Sequence, residues 1–404
     1  MTGTTGHPVT FASPSTFESA GSNWMSIAFV EDSTAADSRI VIAYRDAGNS
    51  NYGTAIVGEV EADNSITWGT AVVFESGNTQ LISAVYDPDT DRVAVFCQDV
   101  GNSGYGTGVV GTVTAGDNSI SFNTGGATIF NSANSYIWAN GATYDTTANK
   151  IVVAYQDDGA GTGEAVVATV TGLSTNTIAY GTVQTFNSGG RAAGVAAQYD
   201  HTANKTVIAY RDQGNGDKGT AIVGTVSSTD ISFGSEVVFH NEDMPSDSVS
   251  ATYDDHRNKV IITYDKNGGT GAYVYVTITG TTPSYSEEFV FTSNSVDSTA
   301  PVYDPDQNVV VVSYRDAGDS NKGNAVVIDS AATPHFTEWI GFASAAIIDG
   351  ENGVIDIVGV VNASQSSLTI GAKYYINNFG ALSTTAQTNR EVGKAISATE
   401  ILIT

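Results

Sequence analysis

The stretch VIAYRDAGNSNYGTAIVGEV, residues 41–60, decides the fold, because the chain repeats it. With VAVFCQDVGNSGYGTGVVGTV (93–113), IVVAYQDDGAGTGEAVVATV (151–170), TVIAYRDQGNGDKGTAIVGTV (206–226), VIITYDKNGGTGAYVYVTI (260–278) and VVVVSYRDAGDSNKGNAVVI (309–328) there are six copies. From Asp46 to Asp316 the mean spacing is 54 residues, long for a solenoid rung and suited to a four-stranded propeller blade.

Each copy reads as an inner, a second, a third and an outer strand. In the second copy these are Ser83–Asp87, Arg92–Gln98, Gly106–Val113 and Ser119–Phe130. The second strand is apolar on both faces: in the first copy Ile40, Ile42 and Tyr44 point one way, Val41 and Ala43 the other. Such a strand has to be covered on both sides, as stacked blades do and a one-sided sheet does not. The N-terminal VTFASPSTFESAG (Val9–Gly21) matches the outer strands ITWGTAVVFESGN (66–78) and ISFGSEVVFHNED (231–243), whereas the sixth copy leaves the pattern at Ser330 before its outer strand. The sequence therefore predicts an all-β chain: a six-bladed β-propeller over residues 1–334, closed by Val9–Gly21 so that no sheet edge stays open, and a separate small β domain over residues 335–404. The WD dipeptide, the in-register double glycine of Kelch repeats and the SxDxGxTW box of sialidases are all absent.

Composition agrees with many short strands and tight turns: 41% apolar residues, 43 glycines and 8 prolines in 404 residues. With 16 Lys and Arg against 43 Asp and Glu, the net charge of −27 argues against nucleic acid or an anionic membrane as partner. Neither a basic, apolar secretory signal nor a run of about 20 apolar residues for a membrane helix is present. The one cysteine, Cys97, lies in an apolar strand and reads as a buried thiol.

Each second strand ends in a polar pair before a Gly-rich loop, and Asp46, Asp99, Asp157, Asp212 and Asp316 recur there, with Asp265 and Lys266 departing in the fifth copy. Two readings stand. The aspartates cap hairpins by accepting backbone N–H bonds, or residues such as Asp46, Asn49, Ser50 and Asn51 gather oxygen ligands for calcium, without the dense spacing of known calcium loops. No cofactor or metal is required. A motif spread over six copies suits a scaffold, and no nucleophile–base pair, HExxH or phosphate loop is seen, so the chain reads as a non-enzyme. The connections from outer to inner strands share a face with the Gly-rich hairpins and carry most of the variety. Candidate ligand-binding residues there are Trp24, Tyr52, Tyr105, Tyr136, Trp138 and Arg191, aromatic and polar groups suited to stacking on sugar rings and bonding their hydroxyls. The alternative is that Trp24 and Trp138 fill the centre of the ring.

After Pro334 the pattern changes to short strands and tight turns. GFASAAIIDGENGVIDIVG (341–359), LTIGAKYYINNFGALSTT (368–385) and VGKAISATEILI (392–403) resemble modules at the ends of tailed-bacteriophage virion proteins, chiefly tail fibres and related surface appendages, over about a sixth of the chain. The resemblance implies a structural protein on the virion surface, joined to other virion proteins and exposing a propeller that adheres to host-surface glycans. A capsid decoration or head-fibre protein with little specific binding, and a carbohydrate-active enzyme or free lectin, are the alternatives. Trp339, Phe342, Tyr374, Tyr375, Ile401 and Leu402 exceed what so small a module buries alone, which points to a homo-oligomer, with a homotrimer expected, and to attachment through this region.

Overall fold

Apart from short 3-10 turns, strands are the only regular structure among the described residues of the computed structural model, which are 13–31, 38–122, 126–171, 176–245, 247–267, 269–329, 342–343, 355–356, 361–363, 365–376, 382–384 and 391–403. The chain is all-β. Each copy of the repeat forms an antiparallel meander. In the second, Val72–Asp87 pairs with Arg92–Asp99, which pairs with Tyr105–Thr114. The same order recurs from Ser22–Val30 in the first copy to Val296–Asp304 in the sixth.

The outer strand, read from sequence as one, is two. Ser119–Phe122 pairs with the far end of the third strand and Thr128–Tyr136 with its near end, and the third, fourth and fifth copies divide alike. Gly69, Gly181 and Gly234 mark the break. There a Cβ would come within 1.8, 1.6 and 2.1 Å of the carbonyl oxygens of Asn118, Thr229 and Thr281, so the next copy's turn presses onto bare backbone.

Among the described residues no sheet closes on itself. Val9–Ala12 lie outside the described residues, and Ser13–Gly21, expected to complete the sixth copy, is not a strand. It is held on the first copy instead. The Phe17 ring meets Tyr44 at 5.2 Å and Trp68 at 5.6 Å, Trp68 Nε1 donates to Ser15 Oγ (2.8 Å), and Tyr44 OH donates to Glu18 Oε2 (3.2 Å). The inner strand of the first copy is buried on one face (Ser26, Ala28, Val30) and exposes Met25, Ile27 and Phe29 on the other; the sixth copy likewise exposes Val302.

The chain divides into two compact units, residues 7–328, and residues 1–6 with 329–404. In the second, Lys373–Ile376, Glu391–Ala395 and Ile401–Ile403 form an antiparallel sheet edged by Leu382–Ser383 and Val361–Asn362. Its core is Leu368, Tyr374, Val392, Ala395 and Ile401. Tyr374 and Ile401, expected at a subunit contact, are thus used inside the unit, because alternate residues of these strands turn inward. Tyr375 and Leu402 are half-buried, while the exposed apolar residues are Val361, Ile370 and Ile396. Trp339 and the Phe342 side chain fall outside the described residues.

Second strands of the middle copies, such as Val93–Cys97 and Ile151–Tyr155, are buried on both faces, and apolar clusters join each copy to the next. One contact recurs at every junction. The third strand begins near a glycine (Gly53, Gly106, Gly163, Gly219, Gly271) whose missing side chain lets an outer-strand ring, Phe74, Phe130, Phe186, Phe239 or Phe291, lie on the backbone; a Cβ would stand only 2.3–2.6 Å from it. Four of these rings then pack on a tyrosine of the following copy: Phe130 on Tyr155 (5.1 Å), Phe186 on Tyr210 (5.2 Å), Phe239 on Tyr264 (5.0 Å) and Phe291 on Tyr314 (5.4 Å). Overpacking this seat displaces both partners, so Gly163→Val should cost about 2–3 kcal/mol, measured by denaturant melts; an unchanged midpoint would mean the ring does not depend on the glycine.

Candidate functional site

The inner strands of the first, second, fourth and sixth copies carry a bulge where they enter the copy, while that of the fifth, Val249–Asp254, pairs in continuous register. The pairing register slips between Asn23 and Ser26, Gln80 and Ser83, Ala193 and Ala196, and Asp297 and Ala300. The bulged residue is left-handed: Trp24 (φ 52°), Leu81 (50°), Gly194 (60°) and Ser298 (56°). For bulky residues such as Trp24 and Leu81 this conformation costs about 1–2 kcal/mol, and bulges of this kind re-aim side chains. In the third copy the strand is replaced by an irregular stretch, Ile137–Gly141, before Ala142–Asp145. It reaches four other copies: Ala139 O accepts from Ser26 Oγ (3.2 Å) and Ser83 Oγ (3.0 Å), Asn140 O from Ala197 N (2.7 Å), and Asn140 Nδ2 donates to Ser250 Oγ (2.6 Å).

These devices shape a cleft of about 560 Å³ lined by Trp24, Gln80, Leu81, Gln98, Asn134, Tyr136, Trp138 and Asp247. Trp138 meets Tyr136 edge-on at 6.1 Å, and Trp24 is 44% exposed, so aromatic faces and edges are available beside amides and a carboxylate. Gln98 Nε2 donates to Asn134 Oδ1 (2.6 Å), which fixes both amides. Of the six candidate ligand residues the structure brings together Trp24, Tyr136 and Trp138. Tyr52 and Tyr105 are half-buried at the starts of third strands and do not line the cleft, and Arg191 sits apart, paired with Asp158 at 2.8 Å. Gln80, Leu81 and Asp247 were not singled out from sequence; their alignment with Trp24 at the repeat's entry point was the available signal.

The recurrent aspartates face backbone donors. Asp46 Oδ1 accepts from Gly48 N (2.8 Å) and Asn49 N (3.1 Å), Asp99 Oδ1 from Asn102 N (3.1 Å), Asp157 Oδ1 from Ala160 N (2.9 Å), Asp212 Oδ1 from Gly214 N (3.0 Å) and Asp316 Oδ1 from Asp319 N (3.0 Å). A second series caps the inner-to-second hairpin at the other end of each copy: Asp87, Asp145, Asp200, Asp254 and Asp304 accept from backbone N–H groups two or three residues on. Left-handed Asp91, Asn149, Asn204, Asn258 and Asn308 complete that turn. Its sequence signal, Asp-x-x-x-Asn/Asp after an aromatic, is visible in the repeat. Among the described residues no group of three or more His, Cys, Asp or Glu is placed to hold a metal ion.

Two findings connect this geometry to known proteins. Residues 304–400 match the family model described as phage cement protein, which ties the C-terminal quarter, with the end of the sixth copy, to phage virion proteins. Tail-fibre character is not part of that match. No curated protein matches the chain. Among solved structures the chain is similar to AofleA from Arthrobotrys oligospora (10% identity, 76% of this chain and 83% of that one, TM-score 0.49) and to Trypanosoma rangeli sialidase (11%, 76% and 55%, 0.46). It is also similar to a lectin of Aleuria aurantia described as a six-bladed β-propeller (12%, 79% and 98%, 0.43). At these scores the likeness carries nothing about ligand or reaction.

The residue after the seated Phe sits beside the hairpin aspartate at several junctions and sets the electrostatics there. Asn131 Nδ2 donates to Asp157 Oδ2 (2.9 Å) and Asn187 Nδ2 to Asp212 Oδ1 (3.0 Å). In the fourth copy the place is taken by His240, whose Nδ1 lies 2.8 Å from Glu288 Oε2; this contact, ahead of Lys266 and Tyr264, holds the Glu288 carboxyl well below the usual range, at about 2. Cys97 is inert: burial pushes its thiol up to about 12. In the first copy the place is taken by Glu75, and burial, then the nearby Asp99, raise its pKa. A raised carboxyl pKa favours the folded state at low pH and withdraws that support as pH rises through it. Glu75→Asn, which copies Asn131 and Asn187, should therefore raise Tm at pH 7, with a hydrogen bond to Asp99 worth about 1.5 kcal/mol, and the gain should shrink below the ordinary glutamate value of 4.5. Melting curves across pH check this; a lower Tm at pH 7 would refute it.

Proposed function

We propose that this chain is a structural protein of a phage particle, bound to other virion proteins by its C-terminal region and presenting the repeat unit outward, where the Trp24–Trp138 cleft adheres to host-surface glycans without enzymatic turnover. The match of residues 304–400 to phage cement protein carries the first part, and it favours a place on the shell over one in the tail. The cleft supports the second: rings with free faces beside amides and a carboxylate suit a saccharide better than an apolar ligand. Val361, Ile370 and Ile396, exposed in the C-terminal unit, are the attachment surface, and a homotrimer is the assembly that would bury them.

In the same reading the repeats form a six-bladed propeller closed by the N-terminal segment. Phe17 already takes on Tyr44 the position that Phe130 takes on Tyr155, and among the described residues nothing stands within 4 Å of a Cβ at Gly323, the sixth copy's counterpart of Gly163. Seating Phe17 on Gly323 would cover the apolar faces at Ile27, Phe29 and Val302 together.

Two experiments test these statements. Full-length chain carrying Ile370→Asp and Ile396→Asp should lose co-sedimentation with particles lacking the native protein by tenfold or more, while Trp24→Ala with Trp138→Ala keeps it and loses binding to host-cell polysaccharide. The opposite pattern would exchange the roles of the two units. Gly323→Val should destabilise the chain as Gly163→Val does; a neutral Gly323→Val would exclude the closed ring.

A further inference from the structure

At the end of the repeats opposite the Trp24 cleft, adjacent copies are clamped by an arginine and an asparagine. Arg39 Nε donates to Asn118 Oδ1 (3.1 Å), and Asn118 Nδ2 donates to Glu59 Oε2 (2.7 Å). Between the second and third copies Arg92 Nε donates to Asn176 Oδ1 (3.0 Å), and Asn176 Nδ2 to Thr112 Oγ1 (2.8 Å). Asn118 and Asn176 hold the left-handed turn between third and outer strands. Between the third and fourth copies both members change. The arginine is Lys150, the asparagine that precedes the outer strand is Thr229, whose carbonyl meets Gly181 as that of Asn118 meets Gly69, and the clamp is gone.

Its place is a pocket of about 450 Å³ lined by Lys150, Thr147, Ser228 and Thr229, and by Lys205 and Asn204 of the fourth copy. Among the described residues neither lysine is ion-paired: Lys150 Nζ donates to Asn149 O (3.1 Å) and Lys205 Nζ to Asn204 O (3.3 Å). In a chain with 43 acidic and 16 basic residues, this opening brings together two lysines that have no carboxylate partner among the described residues. Asp145 also lines the pocket, with Oδ1 accepting from Thr147 N and Ala148 N, so the local balance is one positive charge. Thr169 Oγ1, counterpart of the Thr112 oxygen that accepts the clamp, is buried without a hydrogen-bond partner. Loss of the clamp thus leaves ammonium groups and hydroxyls around the pocket and, outside its lining, an unanswered buried oxygen at Thr169.

We propose that this pocket binds a small oxyanion, carried by a sugar acid or as phosphate, with Lys150 and Lys205 on the charge and the Ser228 and Thr229 hydroxyls beside it. The site is independent of the aromatic cleft. The distant acidic charges are screened over about 10 Å at 0.1 M salt, so the two lysines dominate at contact range. The test is calorimetric titration of the full chain with glucuronate, inorganic phosphate and neutral glucose. At least one anion should bind and glucose should not; the anion that binds identifies the source. Lys150→Ala with Lys205→Ala should weaken binding at least tenfold, and Trp138→Ala should leave it unchanged. Lys150→Arg with Thr229→Asn, which restores the residues of the neighbouring clamp at their counterpart positions and so is expected to fold, should fill the pocket and abolish binding at an unreduced Tm. Failure of both anions to bind, equal binding of glucose, or anion binding that survives either double substitution would overturn the proposal.

Discussion

The repeats depend on an aromatic ring resting on a glycine. A strand apolar on both faces is unstable in an isolated sheet, and the second to fifth copies solve this by sending their outer-strand Phe across their own third strand and onto the next copy's Tyr. The glycine removes the side chain that would hold the ring off. The buried tyrosine then needs an acceptor, and finds one: Tyr155 OH donates to Glu164 (3.0 Å), Tyr210 OH to Glu236 (2.6 Å) and Tyr264 OH to Glu288 (2.8 Å). Stacking, burial and polar satisfaction thus come from one local arrangement repeated along the chain. Where the arrangement lacks a neighbour, at the outer faces of the first and sixth copies, apolar side chains remain in water.

Much of this is written in period-two patterning and recurrence. The second and third strands were legible because both faces are apolar and a Gly-rich hairpin bounds them. The outer strand was misread as continuous because residues 66–74 alternate plausibly and nothing local marks Gly69 as a break; the cause is Asn118 of the next copy, a nonlocal contact. The inner-strand bulges were hidden for a different reason. Left-handed backbone is usually announced by glycine or asparagine, and here Trp24 and Leu81 adopt it. Likeness of Val9–Gly21 to an outer strand is met in part: Phe17 packs on Tyr44 as outer-strand rings do on later copies, while Ser13–Gly21 is not itself a strand.

At the cleft, sequence reasoning found the aromatic residues on the variable face but could not rank them. Tyr52 and Tyr105 look like Trp24 in composition, yet they sit in the first pairs of third strands, opposite Asp46 and Asp99, where the ladder fixes them. Asn140 was invisible as a structural residue because its partners, Ala197 and Ser250, lie in other copies. Asp247 joins the cleft only because the fifth copy's entry comes close to the third's, a relation that no local pattern encodes.

Symmetry makes the departures informative. The scaffold fixes a backbone position and lets its side chain vary, so the residue following the seated Phe is Glu75, Asn131, Asn187, His240 or Thr292 while the strands stay the same. A change there alters charge at a junction and little else. By the same logic Lys150 and Thr229 open a pocket without disturbing the strands that carry them, since the clamp they replace is a side-chain device laid over a junction already held by Phe186 on Tyr210. Both pockets therefore lie between copies rather than within them: the sheet interiors are constrained on both faces, and the junction rims are the positions where side chains change without breaking the Phe–Gly–Tyr contact.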